Sequence, residues 1–166
     1  VIVPGGSDSA TLDNVFEFLM LSGRDLAHVM LMLIPSAWEQ NSLLAKGLRD
    51  FYKYHACIME PWDGPAAIAF SDGKRVGAVL DRNGLRPARY IITRDDTVVM
   101  ASEVGVLDIP AEDILSSGRL NPGKIFFIDT EQGRIVDDKQ IKEDISKKSE
   151  FCSWLKDNML ELDDLP

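Results

Sequence analysis

Hydrophobic periodicity changes from helical to strand-like at Gly64-Pro65, and that change limits the folds open to this chain. Before the break, apolar residues recur at helical spacing. Leu12, Val15, Phe16, Leu19 and Met20 mark one stripe over residues 7–21, after serine and aspartate residues suited to capping, and Gly23 ends the segment. Asp25 can cap a second helix that runs to Ile34 and stops at Pro35; its LAHVMLMLI sequence is apolar nearly all round, as a deeply buried helix requires. The pattern predicts a third helix over residues 38–55, with Leu43, Leu44, Leu48, Phe51 and Tyr52 on one side and Lys46, Arg49, Asp50 and Lys53 largely on the other.

After the break come short β-prone runs: AAIAF, RVGAVLD, RYIIT and TVVMAS, separated by SDGK, RNGLRP and RDD. They read as consecutive antiparallel strands joined by tight turns. KIFFID and a shorter RIVD flank a Glu131-Gln132-Gly133 turn, and residues 139–148 read as a surface helix rich in lysine and acids. Runs of helices followed by runs of strands indicate an α+β layered domain rather than a parallel α/β sheet. Residues 150–166 set Phe151, Trp154, Leu155, Met159, Leu160 and Leu162 among acids, which reads as a terminal helix on its own domain or as a linker to a following one. The expected organisation is a domain over 1–149 and a helical or linker segment over 150–166.

Acidic residues outnumber basic ones by 27 to 18, for a net charge of -9, so nucleic acid and anionic membrane surfaces are expected to be repelled. Cys57 and Cys152 are the two cysteines and form no CxxC pair, which fits neither a disulfide framework nor a zinc site; a reducing cytoplasm is the simpler expectation. No apolar run approaches the roughly 20 residues of a bilayer span. The Val1-Ile2-Val3-Pro4 start has no initiator methionine and leads at once into a motif-like segment, so removal of an upstream portion is expected.

The stretches GGSDSATLDNVFEFL, MLIPSAWE, YHACIMEPWDGPAAIAFSDG, DRNGLRPARY, ASEVGVLD and SGRLNPGKIFFID occur in this order over Gly5 to Asp129. Together they resemble the later portion of the class II glutamine amidotransferase domain of glutamate synthase. The resemblance implies an N-terminal nucleophile hydrolase-like αββα sandwich of antiparallel sheets and helices, present here in part. It also implies a mature N-terminal cysteine whose thiolate attacks the glutamine amide with its own α-amino group as base, and an upstream Asn-Gly pair as oxyanion hole. Neither lies in this sequence, so no catalytic residue is expected in it, and glutaminase activity is expected to be negligible.

The same resemblance implies that Asp8 of GGSDSA holds the substrate's α-ammonium group, where a carboxylate can form a charge-assisted hydrogen bond. Judged without it, Asp8 would serve as an ordinary helix cap. Gly6 and Ser7 could let the backbone approach the substrate or simply lead into the helix. For the full-length parent the resemblance implies FMN, an iron-sulfur cluster and a reductant, with ammonia passing to a second site for glutamate synthesis from 2-oxoglutarate; no cofactor or metal is expected in this chain. Glutamine and the remaining glutamate synthase domains or subunits are the implied partners, and sheets lacking their first-half strands invite homo-oligomerisation. The rival readings are a non-catalytic binding or assembly module that keeps a degenerate amidotransferase fold, and the amidotransferase domain of another biosynthetic enzyme such as that of purine synthesis.

Several signals point elsewhere on first sight. Asn83-Gly84 between β-prone runs is a tight-turn signal rather than an oxyanion pair, with Arg82 and Arg86 expected to pair with nearby acids. Cys57 and Cys152 are expected to be buried and structural, since residues two apart on a helix, as His55 and Cys57 are, point in different directions. His28 is expected to be a satisfied core histidine. Glu60-Pro61-Trp62-Asp63-Gly64-Pro65 reads as a shaped connection, and the segment around Gly118 and Gly123 as a turn before KIFFID, since it lacks the ending of a P-loop.

Overall fold

The computed structural model describes residues 3–147 and 150–160. Val1, the last residue of the expected helix over 139–148, and Leu162 of the tail lie outside the described residues. The elements run α1 (Asp8–Leu21), α2 (Leu26–Leu33), α3 (Lys46–Ile58), β1 (Ala67–Ser71), β2 (Arg75–Leu80), β3 (Arg89–Thr93), β4 (Val98–Ala101), β5 (Ile114–Arg119), β6 (Ile125–Asp129), β7 (Arg134–Val136), α4 (Asp138–Lys147) and α5 (Phe151–Asn158). Helices with antiparallel sheets make the expected α+β composition. The chain falls into two compact units, 1–62 with 139–166, and 63–138.

In the helical unit, caps fall where side-chain chemistry puts them. Ser7 in extended conformation caps α1 and Asp25 caps α2, each accepting a hydrogen bond from a first-turn amide. Every residue of α2 except His28 is buried. On α3, the buried residues Leu48, Phe51, Tyr52 and His55 form one helical stripe, from which Phe51 and His55 meet Phe151 of α5. Full burial of a side chain such as Phe51 contributes about 1.5–3 kcal/mol.

The third helix begins at Lys46, not near Trp38 as the pattern predicts. Asn41 is the reason: its Oδ1 accepts from Leu43 N–H at 3.1 Å, its N–H donates to Trp38 O, and its carbonyl takes Arg49 Nη2 at 2.6 Å. Local Asx bonding of this kind competes with helix. Leu43, matched to the buried side by spacing, is 94% exposed.

In the second unit the strands do not form one meander. β1-β2-β6-β7 make one sheet and β4-β3-β5 another, so the chain changes sheet between β2 and β3. The β1-β2, β3-β4 and β6-β7 hairpins are those the turn residues mark. Between the sheets, Ala78, Leu80, Ala88 and Leu120 form a buried cluster with Met100 and Phe126 against it, and Tyr90 lies 4.7 Å from Phe126. Gly118, expected in a turn, is in strand β5 opposite Tyr90; only Gly123 lies in the turn. A Cβ at Gly118 would stand 2.4 Å from Tyr90 Oη, so the glycine makes room for the ring. No helix among the described residues is long and apolar enough to cross a membrane.

Candidate functional site

Gly5, at φ +77°, turns the chain into a conformation glycine adopts readily, and Gly6 N–H donates to Val3 O at 3.0 Å. Ser7 is then used on both sides as a cap. Its Oγ accepts from Ala10 N–H at 3.2 Å and meets Ser9 Oγ at 3.1 Å, while its carbonyl receives both Thr11 N–H and Thr11 Oγ1 at 3.0 Å. Asp8 opens α1 and is exposed; its Oδ1 accepts from Ser9 N–H at 2.8 Å.

The first turn of a helix is a favourable place for a negatively charged side chain. Asp8 makes no ion pair among the described residues. The arrangement is therefore an oriented, solvent-facing anion able to receive a cationic group. Gly6 and Ser7 sit beside it by chain continuity, and Ser7 Oγ is engaged in the cap. A Cβ at Gly6 would come within 3.1 Å of Val3 O, so this approach to the helix is close.

A second aspartate organises a site that pattern reading missed. Asp81, 4% exposed, follows β2 and accepts backbone N–H bonds from Ala66 and Leu85 at 3.1 Å on Oδ1 and from Asn83 at 3.1 Å on Oδ2. Burial pushes its carboxyl pKa up, but the amides of Ala66, Leu85, Asn83 and Arg86 together hold it below the usual carboxylate range. Asn83-Gly84 is a turn, as expected, with Gly84 at φ +62°, and Arg82 pairs with Asp63 at 2.5 Å. The available signal was an Asx residue two positions ahead of Asn-Gly, a residue type that bonds backbone amides further along the chain.

His28 and His55 face each other Nε2 to Nε2 at 2.9 Å, and His55 Nδ1 lies 2.7 Å from Phe51 O. His28 is thus hydrogen-bonded, though half-buried rather than in the core. No spacing rule joins residues on separate helices, so sequence carried no sign of the pair. Beside them lies a cavity of about 560 Å³ lined by residues that include Arg24, Asp25, Tyr54, Glu150 and Trp154.

Both cysteines are exposed, which corrects the expectation that they are buried. Cys57 falls off the buried stripe of α3, and Cys152 Sγ accepts from Lys46 Nζ at 3.0 Å. Asp50 first, and Cys152 second, hold the Lys46 ammonium group in its charged form. His55 is no base for Cys57, because both of its ring nitrogens are engaged elsewhere. Among the described residues no three His, Cys, Asp or Glu side chains converge as a metal site.

Residues 1–154 match the family described as glutamine amidotransferases class-II. The chain is 49% identical over 161 residues to the large chain of the NADPH glutamate synthase of Bacillus subtilis, covering 97% of this chain and 11% of that protein. It is 48% identical over 166 residues to the NADH glutamate synthase of Saccharomyces cerevisiae, covering 99% of this chain and 8% of the other. Ferredoxin-dependent glutamate synthase 2 of Synechocystis is 43% identical over 158 residues, 94% of this chain and 10% of that one. The chain thus spans about a tenth of the length of these relatives. Their names carry three different reductants at similar identity, so this segment does not distinguish the electron donor.

Proposed function

The chain belongs to the class-II glutamine amidotransferases, and from that premise we propose that it is the part of a glutamate synthase's amidotransferase domain that orients glutamine, with Asp8 receiving the substrate's α-ammonium group. The observation that carries this reading is the exposed Asp8 carboxylate, fixed in the first turn of α1 with one oxygen on Ser9 N–H. An ammonium group docked there gains charge-assisted hydrogen bonds and leaves the side-chain amide at the other end of the molecule, so the carboxylate sets the direction in which glutamine lies. Gly6 and Ser7 contribute through the close path of their backbone.

Hydrolysis of glutamine to glutamate and ammonia takes, beyond orientation, an activated nucleophile and oxyanion donors. His55 does not serve Cys57 as a base, and Cys152 is bonded to a lysine ammonium group, so bond cleavage is assigned to residues other than these. The cofactors of the whole enzyme likewise belong to other parts in this reading. Iron-sulfur clusters take about four thiolates, and two separate exposed cysteines do not fit one. We place this chain in the cytoplasm as part of a larger nitrogen-assimilating oxidoreductase.

Binding of L-glutamine and of glutaramate, the analogue without the α-amino group, measured by NMR titration, tests the assignment. Wild-type chain is expected to prefer glutamine, and Asp8→Asn to lower its affinity about tenfold, the loss of one charge-assisted contact, while leaving glutaramate unchanged. Equal glutamine binding by wild type and Asp8→Asn refutes the role of Asp8. No glutamine binding by the wild type favours the assembly-module reading instead.

A further inference from the structure

Beyond substrate orientation, the unit that carries α1 holds two imidazoles with a restricted set of proton positions. A bridge between His28 Nε2 and His55 Nε2, 2.9 Å apart, takes one hydrogen: one ring donates and the other accepts. Phe51 O can only accept, so His55 Nδ1 carries a hydrogen, and neutral His55 turns a lone pair at Nε2 toward the N–H of His28. With one imidazolium the bridge survives, because the charged ring donates and its neighbour can accept. With two, both Nε2 atoms carry hydrogens and both rings carry charge, and the short approach cannot be kept.

The last described helix is seated on this pair. The buried ring of Phe151 stands 5.2 Å from His55, 6.2 Å from His28, 5.4 Å from Phe51 and 5.1 Å from Tyr54, centroid to centroid. Trp154 extends the contact, 5.2 Å from Tyr54. The attachment of α5 to α3 is therefore an aromatic cluster whose floor is partly imidazole. The family match ends at Trp154, inside α5, so this seat lies where the chain leaves the matched region.

We propose that the His28–His55 pair is a proton-operated latch on α5: the bridge holds with at most one charge, and arrival of the second parts the rings, removes the seat of Phe151 and frees α5 from α3. The half-buried His28 and the adjoining cavity supply the route for water and protons. The charged and titratable groups facing the pair are Arg24 and Asp25 from the turn into α2, Tyr54 from α3 and Glu150 before α5; α4 contributes Ile145, which has no charge. Arg24 opposes the second charge, while Glu150 favours it; Asp25 is already engaged in capping Ala27 N–H.

Burial holds His55 below the ordinary imidazole value of 6.5, with the Phe51 carbonyl opposing that shift and Arg24 adding to it. Because the folded pKa is depressed, the unfolded chain takes the proton first. The contribution of neutral His55 is then complete above about pH 6.5 and is lost as pH falls toward the folded value. The bridge keeps its hydrogen bond through a first proton, so the latch opens further to the acid side, where the second proton arrives.

Hydrogen exchange read by mass spectrometry, corrected for the intrinsic effect of pH and run from about pH 7.5 to about pH 5, tests this. Protection of peptides over 151–158 is expected to fall about tenfold or more, while the β1-β2 hairpin holds its protection. His28→Gln keeps an amide partner for His55 Nε2 and removes one titrating ring, so its α5 protection is expected to stay flat. Constant protection of α5 in the wild type, or the same fall in His28→Gln, overturns the latch. Should His28→Gln fail to fold, ring nitrogen shifts of the wild type decide: α5 amides that move with the second histidine titration support it, and amides that do not move through that step overturn it.

Discussion

Asp8 and Asp81 both receive backbone amides, and they differ in number of donors and in surroundings. Asp8 is exposed and takes one N–H, from its own neighbour. Asp81 is buried, and amides from both sides of a sheet corner converge on it, from Ala66 before β1 and from Asn83 and Leu85 after β2. The contrast separates two uses of a carboxylate. One holds the protein to itself and has its oxygens filled; the other leaves a side chain exposed to solvent, as the proposed ammonium contact requires. A residue kept for a ligand should be cheap to change for folding and costly for binding, and the reverse should hold for a structural one.

The sharpest way to break that contrast is Asp81→Ala. It strands several part-buried N–H groups at once, and the expected loss is about 3 kcal/mol, read as a fall of roughly 1–3 M in the urea midpoint. The same carboxylate has an acid signature. Its folded pKa is lowered, so its contribution is full above the unfolded value near 3.8 and disappears as pH falls through the folded one; acid unfolding of the Asp81→Ala chain should lose that steep limb. A loss as small as that of an exposed residue would show that the loop does not depend on the aspartate.

A smaller effect is expected at Gly77, which tests whether packing or polar closure dominates the same sheet. Gly77 sits opposite Phe70 across the β1-β2 ladder, and an added Cβ would stand 2.4 Å from the phenyl ring and 3.0 Å from Phe126 O. Phe70 is buried and cannot swing freely. Gly77→Ala is expected to cost about 1–3 kcal/mol in thermal or urea unfolding, below Asp81→Ala if the polar corner is the stronger constraint. An effect larger than that of Asp81→Ala would reverse the ranking.

What sequence could and could not convey follows the same division between local and non-local. Ser7 and Asp25 were legible as caps because a cap is set by the residue and the amides just after it. Hairpins at SDGK, RDD and EQG were legible for the same reason. Which strand neighbours β2 was not: its second partner, β6, lies more than forty residues on, and turn residues say nothing of it. β5 gives no strand signal, because ILSSGR is mostly exposed and shows no apolar alternation. Cys57 is exposed against expectation, because the buried stripe of Leu48, Phe51, Tyr52 and His55 leaves it outside. Of the candidate site, Gly6, Ser7 and Asp8 came from family resemblance; the residues themselves spell only a capped helix.

The smallest stability effect is the one that matters most for the assignment of Asp8. Ser7→Ala removes the Oγ that accepts Ala10 N–H and should cost about 1 kcal/mol, the usual value of an N-cap. Asp8→Asn keeps the shape and removes the charge from an exposed first-turn position, so only the helix-terminal electrostatic contribution is lost, about 0.3–1 kcal/mol at low salt and less as salt is added. Because Ser7→Ala disturbs the helix entry without touching the carboxylate, the pair of variants distinguishes the two roles. Urea unfolding should rank Ser7→Ala as the more damaging, and glutamine titration should rank Asp8→Asn as the more damaging. The same order in both measurements would mean that Asp8 serves the helix and nothing else.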